Sequence, residues 1–164
     1  SFAKFYGAKG KMLQELAECF REQYKTKDLL KARPYPGIYE TIEKLKINDV
    51  GIAIATYKRQ DYARQLLYHF QFDKYTKVIY GADNYNKLKK SDIIIKCMKD
   101  LGVSEYSKAV MIGDTDNDAV GAQKIGMKFL GVTYGFGFTS NADVKQYPSI
   151  GSVSSAYEIP QYFL

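Results

Sequence analysis

Residues 110–121 read Val-Met-Ile-Gly-Asp-Thr-Asp-Asn-Asp-Ala-Val-Gly, and this stretch decides the fold. The apolar run Ala109–Ile112 ends in Gly113-Asp114, passes Asp116 and Asp118, and enters a helix-like stretch, Ala119–Ile125. A buried strand that delivers carboxylates at its C-terminal tip marks an open α/β sheet, where ligands gather beyond the carboxyl ends of the strands. Carboxylates crowded together repel one another unless a cation offsets them. Mg²⁺ favours carboxylate oxygens together with phosphate and water, so the stretch points to a Mg²⁺ site serving a phosphorylated substrate. A calcium loop opens with the same alternation of acids, but it needs Gly at its sixth position and a bidentate Glu at its twelfth. Ala119 and Ile125 stand there instead. Capping of a helix N-terminus by acids accounts for one or two of the three carboxylates.

Outward from this stretch, apolar periodicity alternates between two repeats. Helical spacing covers Lys9–Lys25, Ile38–Leu45, Gln60–Phe70, Ser91–Leu101 and Ser155–Phe163. Short runs of small and β-branched residues predict strands at Val50–Ala55, Lys77–Gly81 and Lys128–Thr133, besides Ala109–Ile112. Strands alternating with helices at this spacing imply a mainly parallel α/β sheet with right-handed crossovers and helices on both faces. The stretch Lys31-Ala-Arg-Pro-Tyr-Pro-Gly37 breaks the first helix from the rest and reads as a linker.

Composition narrows the function classes. The 164 residues are 46% hydrophobic and 26% charged, which suits a globular domain able to bury a core. No apolar run approaches the roughly 20 residues a membrane span needs, so neither a membrane span nor a signal peptide is expected. Cys19 and Cys97 show neither pairing nor metal spacing, which fits a reducing, cytoplasmic setting. The net charge of +6 comes from scattered lysines, and the one dense group, Lys87-Leu88-Lys89-Lys90, lacks interleaved aromatics. Nucleic acid is therefore not an expected partner. A basic surface does attract anionic phosphate substrates.

Further candidates sit at element boundaries. Thr56 ends the strand predicted at Val50–Ala55, where a hydroxyl beside free N–H groups suits a phosphate oxygen or a helix cap. Lys90 opens the helix Ser91–Leu101, where a cation neutralises charge on a transferring phosphoryl group, with Lys87 and Lys89 as rivals. Gly135-Phe-Gly137 lacks the third glycine of a dinucleotide fingerprint and reads as a flexible loop. The single histidine, His69, lies among Leu66, Leu67 and Phe70 and reads as a partly buried structural residue.

The order of these signals resembles the haloacid dehalogenase-like phosphatase family. Thr56 matches that family's second motif, Lys90 its third, and Ile112-Gly-Asp-Thr-Asp-Asn-Asp118 its fourth. Pro34-Tyr-Pro-Gly37 and Gly131-Val-Thr-Tyr-Gly135 look like the phosphoglycolate phosphatase branch. The resemblance spans roughly residues 30–164 and implies a Rossmann-like core at residues 34–164, with residues 1–33 as the C-terminal part of a helical cap. It implies that Asp114 binds Mg²⁺, and that Asp118 supports the metal shell or orients Lys90. It further implies that Thr56 holds a phosphoryl oxygen and that Lys90 neutralises the transferring group. The implied substrate is a small phosphorylated metabolite. The family's first motif, Asp-x-Asp-Gly-Thr, is absent, since the only Asp-x-Asp pairs lie within Asp114–Asp118. The nucleophilic aspartate is thus expected outside this chain. The strand that carries it in the family lies between those ending at Thr56 and Asp114, so a break is expected in the ladder there. The alternative is a non-catalytic phosphate- or partner-binding module on the same scaffold.

Overall fold

The computed structural model describes residues 32–164. The chain divides into two units, Ser1–Arg33 and Pro34–Leu164. The helix expected at Lys9–Lys25, the cap assignment and Cys19 lie outside the described residues.

In the second unit, helix α1 (Ile38–Ile47) leads to β1 (Ile54–Arg59), α2 (Gln60–His69) and β2 (Ile79–Ala82). Helix α3 (Lys90–Leu101), β3 (Val110–Gly113), α4 (Asp116–Lys124) and β4 (Lys128–Val132) continue the alternation. A short helix α5 (Asn141–Val144), strand β5 (Gly151–Val153) and a 3₁₀ helix over Ala156–Tyr162 close it. Every strand pairing is parallel. The strands fall into two sheets, β1–β2 and β3–β4–β5. Among the described residues no ladder joins β1 to β3, and this is where the break was expected.

Period-two alternation sends side chains to two cores. Met111 of β3 and Phe129 of β4 join Ile94, Cys97 and Met98 of α3 and Ala119 and Ala122 of α4 on one face. Val110, Ile112, Leu130 and Val132 point the other way, towards Leu45 of α1 and Ala156 and Ile159 of the 3₁₀ helix. Helices thus cover both faces, as a parallel sheet requires. Strands β1 and β3 are only half-buried along their apolar residues, whereas Phe129 and Leu130 of β4 are sealed. Helix α3 packs on β1, on β2 and on α4, and so ties the two sheets together.

Three expectations shift. The first strand starts at Ile54 rather than Val50, because the Ile52 carbonyl is taken by the Thr76 hydroxyl at 2.7 Å instead of a ladder partner. Helix α4 starts at Asp116, three residues before the apolar periodicity begins, so the acids occupy its first turn. The C-terminal helix is 3₁₀ rather than α, with Pro160 inside it and no N–H there to donate. No helix among the described residues is long and apolar enough to cross a membrane.

Candidate functional site

Strand β3 ends at Gly113, and the chain turns at once into α4, capped by Thr115 and Asp118. Asp118 is 5% exposed and engages both carboxylate oxygens. Its Oδ2 accepts the N–H of Asp114 at 3.1 Å, the N–H of Thr115 at 3.2 Å and the Thr115 hydroxyl at 3.0 Å. Its Oδ1 pairs with the Lys90 Nζ at 2.8 Å. The Gly-Asp-x-x-x-Asp spacing follows from this closure. A Cβ at Gly113 would collide with the Asp118 carboxylate, so only glycine lets the strand end come so close.

Lys90 is 7% exposed, and its Nζ also donates to the Ala55 carbonyl at 2.8 Å. The Lys90 N–H donates to the Tyr57 hydroxyl at 2.8 Å, and the ammonium lies 5.5 Å from the centre of the Tyr57 ring. One residue therefore links β1 near its start, the first turn of α3 and the first turn of α4. The rivals point elsewhere: Lys89 is exposed, and Lys87 sits over the Tyr85 ring.

Thr56 lies where regular pairing of β1 with β2 lapses, between Ala55 and Arg59. Its Oγ1 accepts the Lys58 N–H at 3.1 Å, which leaves the hydroxyl proton for another acceptor. Thr56 is thus one residue from the Lys90 contact, without a hydrogen bond to Lys90, Asp114 or Asp118.

Asp114 is held by the loop over residues 135–137. Its Oδ2 accepts the N–H of Phe136 at 2.7 Å and that of Gly137 at 3.4 Å. Its Oδ1 has no hydrogen-bond partner among the described residues. Glycine is required in this loop as well, because a Cβ at Gly135 would overlap the Asp114 carboxylate and one at Gly137 its carbonyl. Gly135-Phe-Gly137 is therefore a clamp on Asp114 rather than merely a flexible loop; the glycine pair was visible in the sequence, but not what it grips. Tyr35 and Tyr134 stack edge to face at 5.0 Å nearby. Burial pushes the Tyr134 hydroxyl up to about 12, with the Tyr35 and Asp114 charges adding to the shift.

The crowding of three acids does not occur. Asp118 turns inward to Lys90, Asp116 is exposed and accepts the Asn117 N–H, and Asp114 faces the 135–137 loop. Among the described residues no group of three or more His, Cys, Asp or Glu side chains is placed to hold a metal. At the end of β3, Asp114 keeps one carboxylate oxygen open. That fits Mg²⁺, which takes one or two carboxylates and keeps several waters. Tyr57 went unnoticed in the sequence, since a tyrosine within a strand such as β1 carries no signal of its own. His69 is exposed at the end of α2, its ring edge-on to Phe70 at 4.8 Å, and not partly buried as expected.

The family described as haloacid dehalogenase-like hydrolase matches residues 2–132 of the chain. A 5'-nucleotidase from Pseudomonas aeruginosa is 31% identical over 136 residues, covering 83% of this chain and 62% of that protein. A phosphoglycolate phosphatase from Aquifex aeolicus is 30% identical over 129 residues, covering 78% of this chain and 60% of that protein. Among solved structures, a predicted phosphatase from Clostridium acetobutylicum superposes with a TM-score of 0.86 at 29% identity, covering 98% of this chain and 74% of that one. The chain spans about three-fifths of the length of the curated relatives it matches.

Proposed function

Because the chain belongs to the haloacid dehalogenase-like hydrolase family, we propose that the whole protein is a Mg²⁺-dependent phosphomonoesterase acting on a small phosphorylated metabolite. Relatives that are a nucleotidase and a phosphoglycolate phosphatase favour this over a non-catalytic binding module. A phosphoglycolate-like ester is the substrate class that the Pro34–Gly37 and Gly131–Gly135 phrasing supports. A free, buried thiol at Cys97 suits a cytoplasmic setting.

The observation that carries the reading is the buried Lys90–Asp118 pair, which brings a fixed cation to Ala55 near the start of β1, one residue from Thr56. Lys90, held by Asp118 and the Ala55 carbonyl, neutralises charge that builds on the transferring phosphoryl group. Thr56, its oxygen occupied by the Lys58 N–H, donates its proton to a phosphoryl oxygen. Asp114 would hold the metal, while the Phe136 and Gly137 N–H groups fix its Oδ2. Bound there, Mg²⁺ supplies positive charge against the phosphate oxygens. An aspartate of the first motif, expected outside this chain, attacks phosphorus as the P–O ester bond breaks, and the leaving oxygen takes a proton from that motif's second carboxylic acid. Water then attacks the aspartyl-phosphate, giving its proton to the same group, to release phosphate and restore the aspartate.

The test is turnover of a panel of phosphomonoesters by the complete protein with and without Mg²⁺. Lys90→Ala and Asp114→Asn are each expected to lower kcat by about 10²–10³. Full Mg²⁺-dependent turnover in either variant would overturn the assignment.

A further inference from the structure

Strands β1 and β2 fall out of step part of the way along their ladder. Ala55 pairs with Tyr80 and Arg59 with Ala82, so Thr56, Tyr57 and Lys58 stand against Gly81 alone. A bulge of this kind bends its strand and re-aims the side chains it carries. Gly81 leaves room for it, since a Cβ there would collide with the Lys58 carbonyl and the Gln60 backbone. Inside the bulge the chain folds back on itself, and the Lys58 N–H reaches the Thr56 Oγ1 at 3.1 Å. The direction left to the Thr56 hydroxyl proton therefore depends on where Lys58 is held.

One side chain anchors the far end of the bulge. Gln60, half-buried as the first residue of α2, reaches across to β2. Its Nε2 donates to the Ile79 carbonyl at 2.8 Å, and its Oε1 accepts the Gly81 N–H. A carbonyl and an N–H on either side of one residue are the groups that a parallel neighbour engages. Among the described residues β2 pairs with β1 alone, and the Gln60 amide stands in for a second neighbour. Ile79 and Gly81 are both buried, so their backbone groups need a partner. Only an amide side chain offers a donor and an acceptor in one planar group. Gln60 forms no hydrogen bond to Thr56, Lys90 or Asp114, so it reaches the site only through the turn.

We infer that Gln60 is a positioning residue for the phosphoryl-binding turn: its amide pins the far end of the bulge to β2 and, through Lys58, sets the direction in which Thr56 donates. The inference rests on the phosphoryl contact proposed for Thr56.

A double-mutant cycle on the complete protein tests it, with p-nitrophenyl phosphate as substrate and Mg²⁺ present. Thr56→Val is expected to lower kcat about 10²-fold. Gln60→Leu is expected to lower it about tenfold, with KM changed by less than about twofold. In the Thr56→Val background Gln60→Leu is expected to cost less than about twofold, because the hydroxyl it aims is gone. A purely structural loss would lower the active fraction equally in both backgrounds. Gln60→Glu keeps an acceptor for the Gly81 N–H, and an anion suits the first turn of α2, so this variant carries the same cycle should Gln60→Leu fail to fold; a loss of about threefold is expected. The Lys58 amide gives a readout without substrate. Its hydrogen exchange is expected to quicken at least about tenfold in the Gln60 variants, while the β4 amides of Phe129 to Gly131 stay protected. Parental kcat in the Gln60 variants, equal losses in the two backgrounds, or an unchanged Lys58 amide would overturn the inference alone. No turnover by the parent, or parental kcat in Thr56→Val, would overturn the catalytic reading and the inference with it, so the two failures are told apart.

Discussion

Lys90 and Asp118 lose most of their hydration on folding, and each is compensated by the other at 2.8 Å. Removing one partner leaves a buried charge facing apolar surroundings, which costs about 3–5 kcal/mol. Asp118→Ala adds a second loss, because the Asp114 and Thr115 N–H groups go unpaired as well. Urea unfolding is therefore expected to place Lys90→Met and Asp118→Ala both about 3–5 kcal/mol below the parent, with the double variant well short of their sum. Additive losses would mean that the pair is not coupled. At this scale the sequence was legible in part. The Gly-Asp-x-x-x-Asp spacing singled out Asp114 and Asp118, and a lysine at a helix start singled out Lys90 with two rivals. Choosing among three lysines needs burial, which no residue type announces. Telling a carboxylate that grips a lysine from one that faces outward needs the turn between β3 and α4, and the acids themselves are identical in the sequence.

Elements were legible where they were long and amphipathic. Helices α1, α2 and α3 and strands β3 and β4 fall within a few residues of their apolar repeats. Strand β5 escaped because Gly151-Ser-Val153 is too short to show a period, and it forms by pairing with β4. Helix α5 escaped for a similar reason: a single turn is held by its cap, not by an apolar face. There the Asp143 Oδ2 accepts the Thr139 N–H at 2.9 Å, the Thr139 hydroxyl at 3.0 Å and the Ser140 N–H at 3.2 Å. The Thr139 N–H, first among these, holds the carboxyl below the usual carboxylate range. A folded-state value depressed below the unfolded one contributes stability above the unfolded pKa of about 3.9, and that contribution is lost as pH falls through the folded value. The Asp143 carboxyl carbon shift is thus expected to titrate with a midpoint below about 3.9, with the Thr139 and Ser140 amide shifts following the same curve. A midpoint at or above that value would mean that the cap is not formed in solution.

Across the whole described unit, the break between β1 and β3 governs how the fold opens. Within each sheet the strands are joined by ladders, but β1–β2 and β3–β4–β5 share only side-chain packing through α3 and the Lys90 contacts. Backbone ladders are cooperative along a sheet, and a missing ladder divides one cooperative unit into two. The half-buried flanks of β1 and β3 fit this, whereas β4, paired on both sides, has Phe129 and Leu130 1% and 0% exposed. The absent first motif made the break predictable from sequence, whereas the role of α3 as the bridge needed the packing of Ile94, Cys97 and Met98. Native-state hydrogen exchange across a denaturant series is expected to resolve two openings. The β2 amides, Tyr80 and Gly81, are expected to exchange through a smaller, earlier opening that leaves the β4 amides of Phe129 to Gly131 protected. The β4 amides are expected to exchange only with global unfolding. Lys90→Met is expected to lower the first opening more than the second, because Lys90 ties Ala55 of β1 to the first turn of α4. A single isotherm shared by Tyr80 and Leu130 in the parent protein would show that α3 packing alone makes the two sheets one cooperative body.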